Sequence, residues 1–357
     1  MIEPDGLRRL VEQELRAAGA PGATVAVRQD GALLWQAGVG TRDLEGRAPV
    51  APDAPAYIYS VTKPLLASQV LRLTGEGRVE LDAPLGAYLP EIALDDGVTV
   101  RRLLNHRAGL PDYGRLPAYT AALRTDPAHP WTDAEFLART LPLPRPGAPG
   151  ETFAYSNLGY LLLRLLLQRL SGQSLRRLLA EQVFAPLDLT RTFVAESLAY
   201  ATALTPGFGG MLDSDGPLVD IAPRYHPGWV AHGLVVSTAP ELARLGEALF
   251  TGQLVGREAL AAMLDPLPVA LRHPLFVQPA YGLGLMLDTG SPHGLVAGHG
   301  GGGPGYSAGL LHLSNIRGRR VTAAALVNRD VDELGLRLAW LLAHAVGEDG
   351  AFAADSA

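Results

Sequence analysis

Apolar residues recur at three- and four-residue spacing through residues 5–18, where Leu7, Leu10, Val11 and Leu15 predict an amphipathic helix. Two short apolar runs follow, 23–28 and 32–39, on either side of Asp30-Gly31. That dipeptide between such runs predicts a β-hairpin. From about 64 to 270 helical spacing dominates, notably over 65–73, 133–141, 160–170 and 240–250. Proline-rich connections such as 142–150 separate these helices. Beyond Pro279 strand-like runs return, at 282–287, 295–298, 307–313 and 320–327. They are punctuated by glycine or by the Asn315-Ile316-Arg317-Gly318 turn. A last amphipathic helix is expected over about 331–346, followed by ten frayed residues.

Strands at both ends with helices between predict an α+β fold. One antiparallel sheet is built from both termini and flanked by helices. The expected division is an α/β subdomain of 1–63 and 271–357 and a mainly helical subdomain of 64–270, within one globular unit. There is no internal repeat and no low-complexity segment.

At 357 residues and 48% hydrophobic, the chain can bury a large core. A net charge of -6, with no basic run or basic-aromatic stripe, argues against nucleic acid as a partner. Cysteine is absent, which excludes disulfides, thiol catalysis and cysteine-bound metals. The most apolar stretch, 160–170, is interrupted by Arg164 and Arg169, so no membrane span is expected. The first residues lack the basic and apolar segments of a leader, so a cytoplasmic location is expected. Oligomeric state cannot be read from these patterns.

The chain has a single lysine, Lys63, three residues after Ser60 in Ser60-Val61-Thr62-Lys63. The other 29 of its 30 basic side chains are arginine. Arginine keeps its proton in proteins, whereas a buried lysine can become a neutral amine and act as a base. The helical pattern that follows places Ser60 and Lys63 one turn apart at a helix N-terminus, on one face. The alternative is a surface lysine that happens to follow a serine. A second candidate is Tyr155-Ser156-Asn157. A tyrosine beside an amine can relay a proton between nucleophile and leaving group. Taken alone, that segment reads more readily as a helix cap by Asn157 with a packed Tyr155. A third is His299-Gly300-Gly301-Gly302-Gly303, at the end of a strand-like run. Its glycines allow close approach of a substrate and free N–H groups to hold an oxyanion.

Ser-x-x-Lys, then Tyr-x-Asn, then His-x-Gly near the C-terminus, in this order, resembles the serine β-lactamase and penicillin-binding protein superfamily. Within it the chain is similar to the class C β-lactamase-like branch, which includes D-alanyl-D-alanine carboxypeptidases, D-aminopeptidases and family VIII carboxylesterases. Leu103-Leu104-Asn105-His106-Arg107-Ala108-Gly109-Leu110 and Gly233-Leu234-Val235-Val236-Ser237-Thr238-Ala239 also resemble segments of that branch. The resemblance extends over about 5–345. It implies a β-lactamase/transpeptidase-like fold and two-step acyl transfer without metal or organic cofactor. Ser60 would be the acylated nucleophile, Lys63 its proton acceptor and Tyr155 a second acid/base group. Which of Lys63 and Tyr155 takes the first proton is left open. Asn157 would orient substrate or Lys63. The N–H groups of Ser60 and Gly302 would form the oxyanion hole, with His299, Gly300 and Gly301 beside the substrate. His106 is read as a packing residue.

Many β-lactamases carry Lys-Thr-Gly where this chain has His299-Gly300-Gly301. An ordinary histidine is mostly uncharged at neutral pH, and Gly300 offers no hydroxyl. Both changes weaken recognition of a carboxylate-bearing substrate. The resulting expectation is a carboxylesterase-type hydrolase of small esters or amides. The alternatives are a D-alanyl-D-alanine carboxypeptidase, a D-aminopeptidase, a weak β-lactamase, or a penicillin-binding sensor acylated without turnover. Cleft loops near 113–131 and 205–229 are expected to set acyl preference.

Gly305-Tyr306-Ser307-Ala308-Gly309 mimics the nucleophile elbow of α/β-hydrolases. That motif needs a strand, a sharp turn and a helix. Here Leu310-Leu311-His312-Leu313 continues as strand, so Ser307 is expected to pack on the sheet beside the site. The nine histidines include no His-Glu-x-x-His, and His226 and His232 lack a carboxylate at useful spacing, so no metal site is expected.

Overall fold

The computed structural model describes residues 4–212 and 217–349, with side chains through residue 347. The expected frayed tail, 348–357, lies mostly outside them. The first helix, α1, is Pro4–Ala18, with Leu7, Val11 and Leu15 buried. Strands β1 (Gly22–Gln29) and β2 (Ala32–Gly40) form the expected hairpin. Asp30 and Gly31 both have positive φ, 49° and 97°. These are the left-handed angles that a two-residue turn between twisted strands requires.

The remaining strands of the main sheet are β3 (Leu267–Pro268), β4 (Pro279–Tyr281), β5 (Met286–Asp288), β6 (Val296–Gly303), β7 (Tyr306–Ile316) and β8 (Arg319–Val327). The order is β2-β1-β8-β7-β6-β5-β4-β3, and every pair is antiparallel. N- and C-terminal segments therefore meet at the β1–β8 pair, where Ala23 faces Val327 and Gln29 faces Val321.

One expected strand is corrected. Residues 282–287 do not form a continuous strand, because 282–285 make the turn between β4 and β5. Gly284 has φ 81°. A Cβ on Gly282 would lie 1.9 Å from the Met263 carbonyl oxygen, so the chain passes too close for a side chain there.

The sheet is buried on both faces, which explains why its long strands read as nearly continuous apolar runs. Alternate residues enter opposite cores. Val25, Leu311, Ala323 and Ala325 pack with α1 and with α5 (Leu334–Asp349). Ala26, Leu310, Ala324 and Leu326 enter the larger core on the other face. That core contains α2 (Lys63–Gly75), α3 (Asn157–Ser171) and α4 (Ala239–Phe250). The segment 64–270 thus supplies one cover of the sheet through α4, which packs on β1, β7 and β8. With Ala56–Tyr57 from the N-terminal part, it also builds a small sheet in which Leu234–Ser237 lies between Ala56–Tyr57 and Phe193–Ala195. Among the described residues no helix is long and apolar enough to cross a membrane.

Candidate active site

Ser60 lies in a short 3-10 turn, Tyr59–Thr62, which runs directly into α2 at Lys63. Tyr59 adopts a left-handed φ of 46°, unusual for a bulky residue, immediately before the serine. Its hydroxyl donates to the Pro304 carbonyl at 2.5 Å, which ties this bend to the β6–β7 turn. The 3-10 turn places the two side chains on one face. Lys63 Nζ sits 2.8 Å from Ser60 Oγ and 2.9 Å from Asn157 Oδ1.

Lys63 is fully buried. Burial pushes its amine down to about 7, and the charge of Asp112 opposes only part of that fall. The Nζ also lies over the rings of Tyr155 and Tyr160, 4.8 and 5.4 Å from their centroids. From the far side of the sequence, the Tyr155 hydroxyl donates to Ser60 Oγ at 2.9 Å. Burial raises the Tyr155 phenol well above its ordinary range, so it stays protonated at neutral pH.

Asn157 is not the helix cap. Ser156 caps α3, its Oγ accepting the Gly159 N–H while donating to the Pro111 carbonyl. That arrangement leaves the Asn157 side chain free to face Lys63. Asp112 anchors it from behind. Its Oδ1 accepts the Asn157 backbone N–H at 2.9 Å and its Oδ2 faces Asn157 Nδ2 at 3.4 Å.

β6 lies inside the sheet order, yet half of it is an edge. Its pairing with β5 ends at Gly298, whereas its pairing with β7 continues to Gly303. The bare edge of 299–303 packs against the Ser60 turn. A Cβ on Gly301 would fall 2.2 Å from the Ile58 carbonyl oxygen and 3.1 Å from the Ser60 nitrogen. One on Gly302 would meet nothing within 4 Å, so this residue opens onto the cleft. A Cβ on Gly300 would touch Leu336 of α5, so a side chain there would start toward the helix rather than toward Ser60.

His299 is buried, with both ring nitrogens engaged, Nε2 with the Tyr281 hydroxyl and Nδ1 with the Gly300 carbonyl. Burial, with help from Lys63, pushes its pKa down to about 3. It is uncharged at neutral pH and presents no cation to the cleft. His106, read from sequence as a packing residue, is buried with φ 57°. Its Nδ1 accepts the Ser156 N–H, and its ring lies 4.2 Å from that of Tyr155. Ser307 is buried on β7 and accepts the Gly335 N–H, out of reach of the cleft. His226 is the cap of a short 3-10 turn, Pro227–Trp229. No group of three or more metal-ligating side chains occurs among the described residues.

A cleft of about 330 Å³ opens beside Ser60, Asn157 and Gly302. Its walls are largely aromatic, with Tyr113 and Tyr119 from one region and Tyr225 and Trp229 from another, and Arg124 also lines it. Residues 213–216 of the second region lie outside the described residues. The loop positions could be anticipated from sequence, but not the aromatic lining. Asp112 is not legible from sequence, because a lone aspartate after Leu-Pro carries no local signal.

A family model described as Beta-lactamase matches residues 7–347. Penicillin-binding protein 4* of Bacillus subtilis (strain 168) is 25% identical over 323 residues, covering 87% of this chain and 68% of that protein. Protein flp of Staphylococcus aureus (strain N315) is 25% identical over 200 residues, covering 52% of this chain but only 37% of its own length. Among solved structures, a D-stereospecific amidohydrolase from Streptomyces sp. superposes with a TM-score of 0.78 at 25% identity, covering 93% of this chain and 98% of that one.

Proposed function

The chain belongs to the beta-lactamase family, a family of serine hydrolases, and on that premise we propose that it hydrolyses small esters or amides through an acyl-enzyme on Ser60. The observation that carries the proposal is the convergence of a fully buried lysine amine and a tyrosine hydroxyl on one serine oxygen, at 2.8 and 2.9 Å. With its pKa near 7, Lys63 is substantially neutral at physiological pH, whereas Tyr155 is not ionised. Lys63 is therefore the group that takes the Ser60 proton. Ser60 Oγ bonds to the substrate carbonyl carbon, and the carbonyl oxygen becomes an oxyanion. The N–H groups of Ser60 and Gly302 receive it. Tyr155 hands its proton to the leaving oxygen or nitrogen as that bond breaks, and recovers one from the Lys63 ammonium. Water repeats the sequence on the Ser60 ester and releases the acid.

Substrate preference rests on the walls. The cleft is lined by aromatic and aliphatic side chains together with the Arg124 guanidinium, and His299 carries no charge. The aromatic and aliphatic walls suit an apolar or aromatic acyl group. The likeness to the Streptomyces D-stereospecific amidohydrolase over nearly the whole of both chains favours a second reading, amidase action on D-configured substrates.

Hydrolysis of p-nitrophenyl butyrate by wild type and Ser60→Ala, side by side, tests the proposal. Turnover that vanishes in the mutant is expected. Turnover that survives would remove Ser60 from the mechanism. Faster hydrolysis of D-phenylalanine amide than of the ester would select the amidase reading. Nitrocefin turnover at the rate of a resistance enzyme would replace both with a β-lactamase. A stable adduct in intact-mass spectra without product would indicate a sensor.

A further inference from the structure

Lys63 is enclosed by side chains from every element packed against it, and their charges can be read one by one. Tyr155 and Tyr160, from α3 and its lead-in, are held as neutral phenols by burial. His106, His232 and His299, from three other segments, are pushed far below their ordinary pKa, again chiefly by burial, and are neutral. Among these groups Asp112 alone carries a charge toward the amine.

Asp112 also decides which way Asn157 faces. Its carboxylate accepts only. It takes the Asn157 backbone N–H at Oδ1 and faces Nδ2 at Oδ2. The NH₂ end of the Asn157 amide is thus turned to Asp112, and the carbonyl end is left toward Lys63, 2.9 Å from Nζ. An acceptor at that position takes one N–H of the amine. The amine's lone pair is then available to the Ser60 hydroxyl, 2.8 Å away.

We propose that Asp112 is a positioning residue of this hydrolase: it locks the Asn157 amide so that Lys63 aims its lone pair at Ser60, and it supplies the one negative charge facing that amine. The inference rests on the Ser60 acyl-enzyme reading. It assigns to Asp112 two effects, on the rate and on the pH at which the base is unmasked. In Asp112→Asn the new amide can keep the Asn157 N–H bond through its oxygen, but its NH₂ then confronts Asn157 Nδ2. Turning the Asn157 amide relieves the clash and presents N–H groups to Lys63 in place of the carbonyl.

The test is the rate of Ser60 labelling by a fluorophosphonate, measured from pH 5 to 9 in wild type, Asp112→Asn and Asp112→Glu. This probe needs no knowledge of the natural substrate. In wild type the rate should rise through a single acidic limb. In Asp112→Asn the limb should move to lower pH by on the order of one unit, because the charge that favours the ammonium is gone. The plateau should fall about tenfold or more, because the amine is misdirected. Asp112→Glu keeps the charge and should hold the limb near the wild-type position with a reduced plateau. It also carries the test if the asparagine variant fails to fold. A limb unmoved in Asp112→Asn, or one that moves in Asp112→Glu, would overturn the inference while leaving the Ser60 mechanism intact. Failure of the wild type to label at Ser60 would overturn the acyl-enzyme reading itself.

Discussion

Gly301 lies so close to the Ser60 turn that a Cβ on it would come within 2.2 Å of the Ile58 carbonyl oxygen. The neighbouring atom is backbone, which cannot rotate aside. Gly301→Ala must therefore push β6 away from Ser60 and misplace Gly302. The expected cost is about 1–3 kcal/mol of stability, with activity toward p-nitrophenyl butyrate reduced about 100-fold. Gly302→Ala meets nothing within 4 Å, and its stability should stay within about 0.5 kcal/mol of wild type. Urea unfolding of the two variants makes the comparison. Equal stabilities would mean that β6 does not pack on the serine turn as described.

Lys63→Arg should abolish turnover while preserving positive charge, because the guanidinium cannot become a base. A loss of about 1,000-fold or more in kcat/KM is expected. Activity within tenfold of wild type would show that Lys63 works as a charge rather than as a proton acceptor.

Tyr155→Phe removes the hydroxyl that donates to Ser60 Oγ. If that phenol serves the leaving group, the loss should depend on how badly the leaving group needs a proton. Amides should lose roughly 100- to 10,000-fold, and p-nitrophenyl esters markedly less. Equal losses on both substrate types would place Tyr155 outside leaving-group protonation.

The pH dependence follows from Lys63. Its amine is pushed below its ordinary value to about 7, so the active neutral form accumulates as pH rises. kcat/KM should climb through about pH 7 and level off above it. Tyr155 is shifted the other way, so it should not limit activity in the mildly alkaline range. Stability follows the same sign. Between about 7 and the ordinary lysine range the unfolded chain binds a proton that the folded chain does not, so folding is favoured increasingly as pH rises through that window. Melting temperatures and rates recorded on the same buffer series read both effects. A rate that falls as pH rises through 7 would contradict the assignment of Lys63 as base.

The Ser60–Lys63 pair was legible because it is local. Three residues of tight helical geometry bring the side chains together whatever the rest of the chain does. The β1–β2 hairpin was legible for the same reason, since Asp30-Gly31 takes the left-handed angles that the turn demands. The strand expected at 282–287 failed because its apolar residues say nothing of Met263, whose carbonyl leaves no room at Gly282. Asn157, expected to orient substrate or Lys63, does face Lys63, and the alternative of a helix cap falls to Ser156 because Asn157 is held between Lys63 and Asp112.

By itself, the sequence determined which groups are available for chemistry. It supplies one base-capable amine at helical spacing from a serine, a tyrosine ahead of a helix, and glycines where a strand must pass close. Tertiary structure alone decided what those groups are chemically. Burial brings Lys63 to about 7 and His299 to about 3 and holds Tyr155 as a phenol. Packing brings Tyr155 across 95 positions of sequence to within 2.9 Å of Ser60 and sets Asp112 behind Asn157. The physical reason is that proton affinity and hydrogen-bond direction depend on solvent exclusion and on neighbours distant in the chain, neither of which local residue order encodes.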